Sequence, residues 1–234
     1  MSFTITCHDI SVVFPMGNKK KRSVLDKINV NFQAGKINFI TGPVGAGKTT
    51  LLNILAGLTR PTSGEVTVND ERVSRWTGPH RERWRRQAGI IFQHDHLLHD
   101  LTVLENIMLP LIPLGLPLST CRRQSMEALK NVGLLHHAGS LAKSLSGGER
   151  QKTTIARAIV NQPRFIFADE PFAHLDADSG RQMMDLLHHH ACQNAVVIVA
   201  AHGLNQDTLP ENALCYRLQN GVLNLDDRVN PLSS

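Results

Sequence analysis

Lys36-Ile37-Asn38-Phe39-Ile40-Thr41-Gly42-Pro43-Val44-Gly45-Ala46-Gly47-Lys48-Thr49-Thr50-Leu51-Leu52-Asn53-Ile54-Leu55 runs from a short apolar segment through a glycine-rich turn into a helix-patterned segment. Leu51, Leu52, Ile54 and Leu55 recur at helical spacing, and Gly57 and Pro61 mark the end of that helix. Gly42 to Thr49 fits the pattern GxxxxGK followed by Ser or Thr, with strand before it and helix after it. In that context the glycines let backbone N–H groups curl round phosphate oxygens, and the helix start adds partial positive charge. Lys48 is placed to reach the β- and γ-phosphates and the Thr49 hydroxyl to bind Mg²⁺, so ATP with Mg²⁺ is the expected ligand of residues Gly42 through Thr50.

Working outward, Phe3 to Phe14 and Val24 to Phe32 read as strands joined by a polar hairpin-like loop, Gly17 to Arg22. Glu65 to Val68 and Gly89 to Phe92 read as further short strands. The middle changes character. Thr102-Val103-Leu104-Glu105 is a capping-box pattern opening a helix, and Ser119 to Val132 reads as a second helix capped by Ser119. From Arg164 strand and helix alternate again, as Phe165 to Ala168, Asp178 to His190 and Ala195 to Ala201. Such alternation predicts an α/β fold with a mainly parallel sheet covered on both faces. One domain over residues 1–234 is expected, with its core in 1–93 and 159–234 and a helical subdomain inserted over 94–158.

The bulk numbers agree with a folded chain. Of 234 residues, 41% are hydrophobic and 19% charged, which excludes wholesale disorder, and the net charge is a mild +5. Cys7, Cys121, Cys192 and Cys215 show no metal-ligand spacing and fit free thiols in a reducing compartment. The N-terminus lacks the pattern of a secretory signal. The longest apolar stretch, Ile107 to Leu118, is 12 residues long and contains three prolines, whereas a bilayer span takes about 20. Any membrane role is expected to come through a partner.

Phe165-Ile166-Phe167-Ala168-Asp169-Glu170 is an apolar strand ending in two acids, 121 residues beyond Lys48. Acids at the carboxyl end of a parallel strand point into the crevice where ligands bind. Asp169 suits the Mg²⁺ shell, and Glu170 suits a base that polarises an attacking water. Leu145-Ser146-Gly147-Gly148-Glu149-Arg150-Gln151 has the Ser-x-x-Glu spacing of a capping box ahead of a helix. The whole heptapeptide, followed by Ile155-Ala156-Arg157-Ala158, is far more specific than that.

With this signature the chain resembles an ATP-binding cassette (ABC) ATPase over about residues 3 to 224. The resemblance implies a P-loop NTPase (RecA-like) core with an antiparallel β subdomain and an inserted α-helical subdomain. It also implies a homodimer in which each ATP lies between one phosphate loop and the partner's signature. Ser146, Gly147 and Gly148 would then contact the γ-phosphate held by the other copy, where a helix N-terminus is a good anion site. By the same resemblance Gln93 matches the Q-loop glutamine, which senses Mg²⁺ and the attacking water and links the site to a membrane partner. His202 matches the switch histidine that orients the catalytic acid, and Asp176 the D-loop at the dimer interface. Phe14 stands where a tyrosine usually stacks on adenine, a task any aromatic face can serve.

Three positions depart from the family pattern: His174 in the D-loop, Gly203 after the switch histidine, and Lys152-Thr153-Thr154 after the signature. None removes a catalytic group, so activity is expected. Gln93 to Leu111 looks most like the lipoprotein-releasing and macrolide-efflux branch (LolD/MacB type), with the cell-division ATPase FtsE near it. That likeness implies an ATPase, cytoplasmic and peripheral on the inner face of the cell membrane, that energises separate permease subunits exporting lipoproteins, peptides or hydrophobic compounds. The alternative is a soluble or regulatory ABC ATPase. Against DNA-repair types, Lys48 and Ser146 lie only 98 residues apart with no heptads between them. Arg81 to Arg86 reads as a basic helix rather than a nucleic-acid contact, and His188 to His190 as an exposed helix end rather than a metal site.

Overall fold

A computed structural model describes residues 3–15, 21–73, 78–203 and 209–226. In chain order the elements are β1 (Thr4–Pro15), β2 (Lys21–Gln33), β3 (Ile37–Thr41), α1 (Lys48–Leu55), β4 (Ser63–Val68), β5 (Glu71–Arg72), α2 (Gly78–Arg85) and β6 (Ala88–Ile91). Three helices follow, α3 (Val103–Met108), α4 (Leu118–Asn131) and α5 (Gly147–Ile159). The chain then runs through β7 (Phe165–Asp169), α6 (Ala177–Cys192), β8 (Val196–Ala201), β9 (Leu214–Gln219) and β10 (Val222–Leu225).

Two sheets form. One is four-stranded and antiparallel, in the order β2-β1-β4-β5; the other is six-stranded, in the order β10-β9-β3-β8-β7-β6. All neighbours in the larger sheet run parallel except the β9–β10 pair. The continuous apolar runs of β3, β7 and β8 are those of strands covered on both faces. Their side chains alternate between two cores. Ile40, Phe165, Phe167, Val196, Ile198 and Ala200 pack against α1 and the antiparallel sheet. Ile37, Phe39, Ile166, Ala168, Val197 and Val199 join residues of α3 to α6, such as Ile107, Leu129, Ile155 and Leu187. Each fully buried large apolar side chain contributes about 2 kcal/mol.

Register delivers the functional positions. Thr41 pairs with Ala201 and Asp169 with Ala200, so β3, β8 and β7 end level and place Gly42, His202 and Glu170 side by side.

The chain differs from the sequence expectations in three places. Helix α4 starts at Leu118 with Pro117 at its N-cap and no side-chain cap bond, so Ser119 lies inside the first turn and caps nothing. The Pro117 carbonyl takes the first amide bonds, from Thr120 and Cys121. Strand β2 begins at Lys21, which puts Lys21 and Arg22 in the sheet, while residues 17–20 of the expected loop lie outside the described residues. Strands β9 and β10 were not foreseen; their mixed burial lacks the run of apolar residues that marks β7 and β8.

Candidate nucleotide site

The phosphate loop is built around glycine. At Gly42 (φ 151°) a Cβ would come 2.2 Å from the Leu218 carbonyl oxygen, so β9 presses on the loop from behind. Gly47 takes the N-cap of α1 in the left-handed region, with no side-chain cap and no acid in the first turn. The first N–H groups of α1 therefore face the cleft without a carboxylate competing for them. Lys48 is buried, and its Nζ donates to Gly42 O at 2.8 Å and Pro43 O at 3.2 Å. Burial lowers its pKa against the opposing pull of Glu170 and Asp169. The third contact of the ammonium is His202 Nδ1 at 3.3 Å.

A cleft of about 480 Å³ opens in front of the loop. It is lined by Phe14, Arg22, Val24, the loop from Val44 to Thr50, Gln93, Asp169, Glu170 and His202. The buried Asp169 carboxylate accepts from the Thr49 hydroxyl at 2.5 Å. A hydroxyl locked on a buried carboxylate, with the Gln93 amide in the same cleft, is an all-oxygen donor set that fits Mg²⁺. Glu170 sits in a left-handed turn (φ 49°), tied to the sheet by its N–H on Ala200 O at 2.9 Å. Its Oε1 is buried without a hydrogen bond, 3.3 Å from His202 Nε2. No hydrogen bond occupies that oxygen, which leaves it free to take a proton donor. Burial raises the Glu170 pKa, opposed by the charge and backbone N–H of His202.

Ser146, Gly147, Gly148 and Asp176 stand apart from this cleft. Ser146 caps α5 in a reciprocal capping box with Glu149. Gly147 and Gly148 pack on the D-loop, where an added Cβ would meet His174 at 3.6 Å and 3.1 Å respectively. Asp176 caps α6, accepting from Ser179 N–H at 2.9 Å, and Ser179's backbone and hydroxyl lower its pKa. Gln151 donates to Pro171 O at 2.8 Å, binding the signature helix to the segment after Glu170. The same helix grips the residues after Gln93: Arg150 pairs with Asp95 at 2.9 Å, and Arg157 donates to the carbonyls of Asp95 and His96 at 2.8 Å.

Sequence reasoning passed over Arg22 and Val24. The signal was there in the hairpin register, since Phe14 pairs with Arg22 across β1 and β2. His188 to His190 are not wholly exposed: His190 is half-buried, and burial lowers its pKa. No metal-binding cluster of acids, histidines or cysteines occurs among the described residues.

The family model described as ABC transporter matches residues 25–173, which takes in the phosphate loop, the signature and both strand-end acids. The chain belongs to the ABC transporter family. It is an ATPase of that family. It is 37% identical to the uncharacterised ABC transporter ATP-binding protein YvrO of Bacillus subtilis over 96% of this chain and 97% of YvrO. It is 40% identical to the lipoprotein-releasing system ATP-binding protein LolD 1 of Rhodopirellula baltica, over 78% of this chain and 81% of that protein. To the cell division ATP-binding protein FtsE of Escherichia coli it is 38% identical, over 79% and 83%. The dimeric structure of MJ0796, a bacterial ABC transporter cassette, superposes with a TM-score of 0.87 at 30% identity, covering 94% of this chain and 96% of the cassette. A post-hydrolysis state of MJ0796 bound to ADP and Pi superposes equally well, at 29% identity. The chain is thus an ABC ATP-binding subunit of the LolD and FtsE type.

Proposed function

We propose that this chain is the ATP-hydrolysing subunit of a membrane permease that exports lipoproteins, peptides or hydrophobic compounds, acting as a homodimer with one ATP at each of two sites in its interface. The observation that carries the dimer is the separation of two anion-binding helix starts. The phosphate loop lines the cleft while Ser146, Gly147 and Gly148 lie outside it, placed for a second copy's nucleotide. The dimeric form of the MJ0796 cassette supports the same arrangement.

In this reading Gly42 to Thr50 hold the phosphates, Lys48 leaves its carbonyl contacts for the β- and γ-phosphates, and Phe14 stacks on the base. Thr49, Gln93 and Asp169 hold Mg²⁺, which supplies charge neutralisation on the phosphates. Glu170 orients a water and takes its proton as the water oxygen bonds to the γ-phosphorus and the bond to ADP breaks. His202 keeps Glu170 in place, and Asp176 lies at the dimer interface. The core segments 1–93 and 159–234 carry the loop and acids, and the helical subdomain 94–158 carries the signature. The Arg150 and Arg157 contacts give the Gln93 segment and the signature helix a mechanical link.

None of the helices among the described residues is long and apolar enough to cross a membrane. The membrane connection is therefore assigned to permease subunits, with this chain peripheral on the inner face of the cell membrane and no nucleic-acid partner. Comparable identity to FtsE favours a second reading, an ATPase that drives a transmembrane signal without transport. Purifying tagged Glu170→Gln with ATP from mildly solubilised native membranes tests both. A stoichiometric polytopic subunit supports the membrane assignment, and its extracytoplasmic parts separate export from signalling. A soluble dimer alone, or one carrying ribosomes or DNA, overturns it.

A further inference from the structure

Glu149 is held from two sides. Its Oε2 accepts from both the backbone N–H and the hydroxyl of Ser146 at 2.7 Å, and its own N–H donates to the Ser146 hydroxyl at 3.4 Å. Its Oε1 lies 2.9 Å from Nε2 of His137, in the short 3-10 turn Leu135–His137 that precedes the signature. Nδ1 of His137 is in turn 3.3 Å from the Ser140 hydroxyl. The imidazole thus fixes the torsion of the carboxylate that closes the signature cap.

Charge matters here as much as geometry. A carboxylate in the first turn suits the dipole of an isolated helix, but it repels a phosphate arriving at the same N–H groups. An imidazolium on Oε1 cancels that charge. We propose that His137 is a positioning residue for the signature: protonated, it orients and neutralises Glu149, so that the start of α5 accepts the γ-phosphate bound by a second copy of the chain. The inference rests on the two-copy reading above.

Among the described residues, Glu149 is the acid paired with His137. His136 stacks beside His137 with ring centroids 4.2 Å apart, Lys130 closes the adjoining α4, and Glu105 of α3 is turned to its own cap, Thr102. Hydrogen bonds from the Ser146 hydroxyl and amide, with a smaller pull from His137, keep the Glu149 carboxyl below its usual range against a slight effect of burial. Glu149 is therefore ionised at neutral pH, and histidine is the side chain whose charge changes there. Acid strengthens the pair and alkali leaves the carboxylate uncompensated, so ATP-driven pairing of two copies weakens as pH rises.

The test uses the full chain in the Glu170→Gln background with saturating ATP, following the monomer–dimer equilibrium by sedimentation. Between about pH 6 and about pH 8.5 the dimer should weaken about tenfold, roughly threefold at each of its two signatures, since a charged donor roughly doubles the strength of a hydrogen bond. Adding His137→Arg, which keeps the cation at every pH, should hold the acid-side affinity throughout. Adding His137→Gln should give the weak dimer at both ends. Parallel pH curves with and without His137→Arg overturn the proposal and leave the two-copy reading standing. Absence of an ATP-dependent dimer in every variant overturns that reading and the proposal with it.

Discussion

Two helices of this chain begin at glycine-rich motifs, and they begin in opposite conditions. Helix α1 opens on Gly47 with no side-chain cap and no acid in its first turn. Helix α5 opens on Ser146 with a closed capping box and Glu149 in its first turn. Each helix leaves four N–H groups without intrahelical partners. In the phosphate loop those groups stay available, and the lysine that accompanies them is parked on backbone carbonyls. In the signature they are partly satisfied from within, so a phosphate arriving there would compete with Ser146 and Glu149 for the same donors. In the proposed dimer the first helix holds a nucleotide on its own, and the second meets one presented by another copy.

The strongest way to break this division is at the proposed chemistry, whose residues line the cleft beside α1. Glu170→Gln should lower steady-state ATP hydrolysis by about 10²–10⁴-fold while retaining ATP binding, measured by phosphate release and by equilibrium binding. Turnover near the wild-type level would remove Glu170 from the role of base. Next in size is Gly42→Ala. Its Cβ would meet the Leu218 carbonyl, and the variant should lose roughly 3 kcal/mol in chemical denaturation, with nucleotide binding impaired as the loop shifts.

Ser146→Ala sharpens the other side. Loss of a cap costs about 1 kcal/mol, and ATP-dependent dimer formation should fall while a single copy still binds nucleotide. If binding to the single copy fell instead, the two helix starts would not be independent.

The smallest expected effect concerns pH. Burial raises the Glu170 pKa above its usual value of 4.5, so the wild-type carboxyl is best tolerated below that value and costs stability as pH rises through the raised folded pKa. An amide does not titrate. Glu170→Gln should therefore melt higher than wild type near neutral pH, with the gap closing toward acid, as thermal unfolding followed across that range would read. Equal melting temperatures across the range would show that His202 fully compensates the buried charge.

The same contrast governs what the residues alone revealed. The phosphate loop is local: eight consecutive residues with strand and helix on either side state their geometry. The acids were legible because the apolar run before them is continuous, as strands buried on both faces require. Less was legible where the third dimension decides. Ser146 could be read as a cap or as a phosphate contact; the structure shows the cap with Glu149, while a contact with a second copy's phosphate depends on how two chains meet. Arg22 reaches the cleft through a strand register interrupted by bulges between Cys7 and Val13, which shift which face each residue presents. Ser119 fails as a cap because Pro117 already supplies the extended residue from which α4 starts. Strands β9 and β10 combine buried and exposed residues at the sheet margin, a pattern weaker than the runs of β7 and β8.

The place of β3 in its sheet sets the order of events during synthesis. Its two neighbours are β8 and β9, and Phe39 aligns with Cys215, 176 residues further along the chain. Contacts this distant in sequence form slowly, and here one partner strand must leave the ribosome long after the loop it supports. A chain arrested after the signature would hold every residue of the phosphate loop on a strand flanked by nothing. The motif made early is thus one whose framework is finished late.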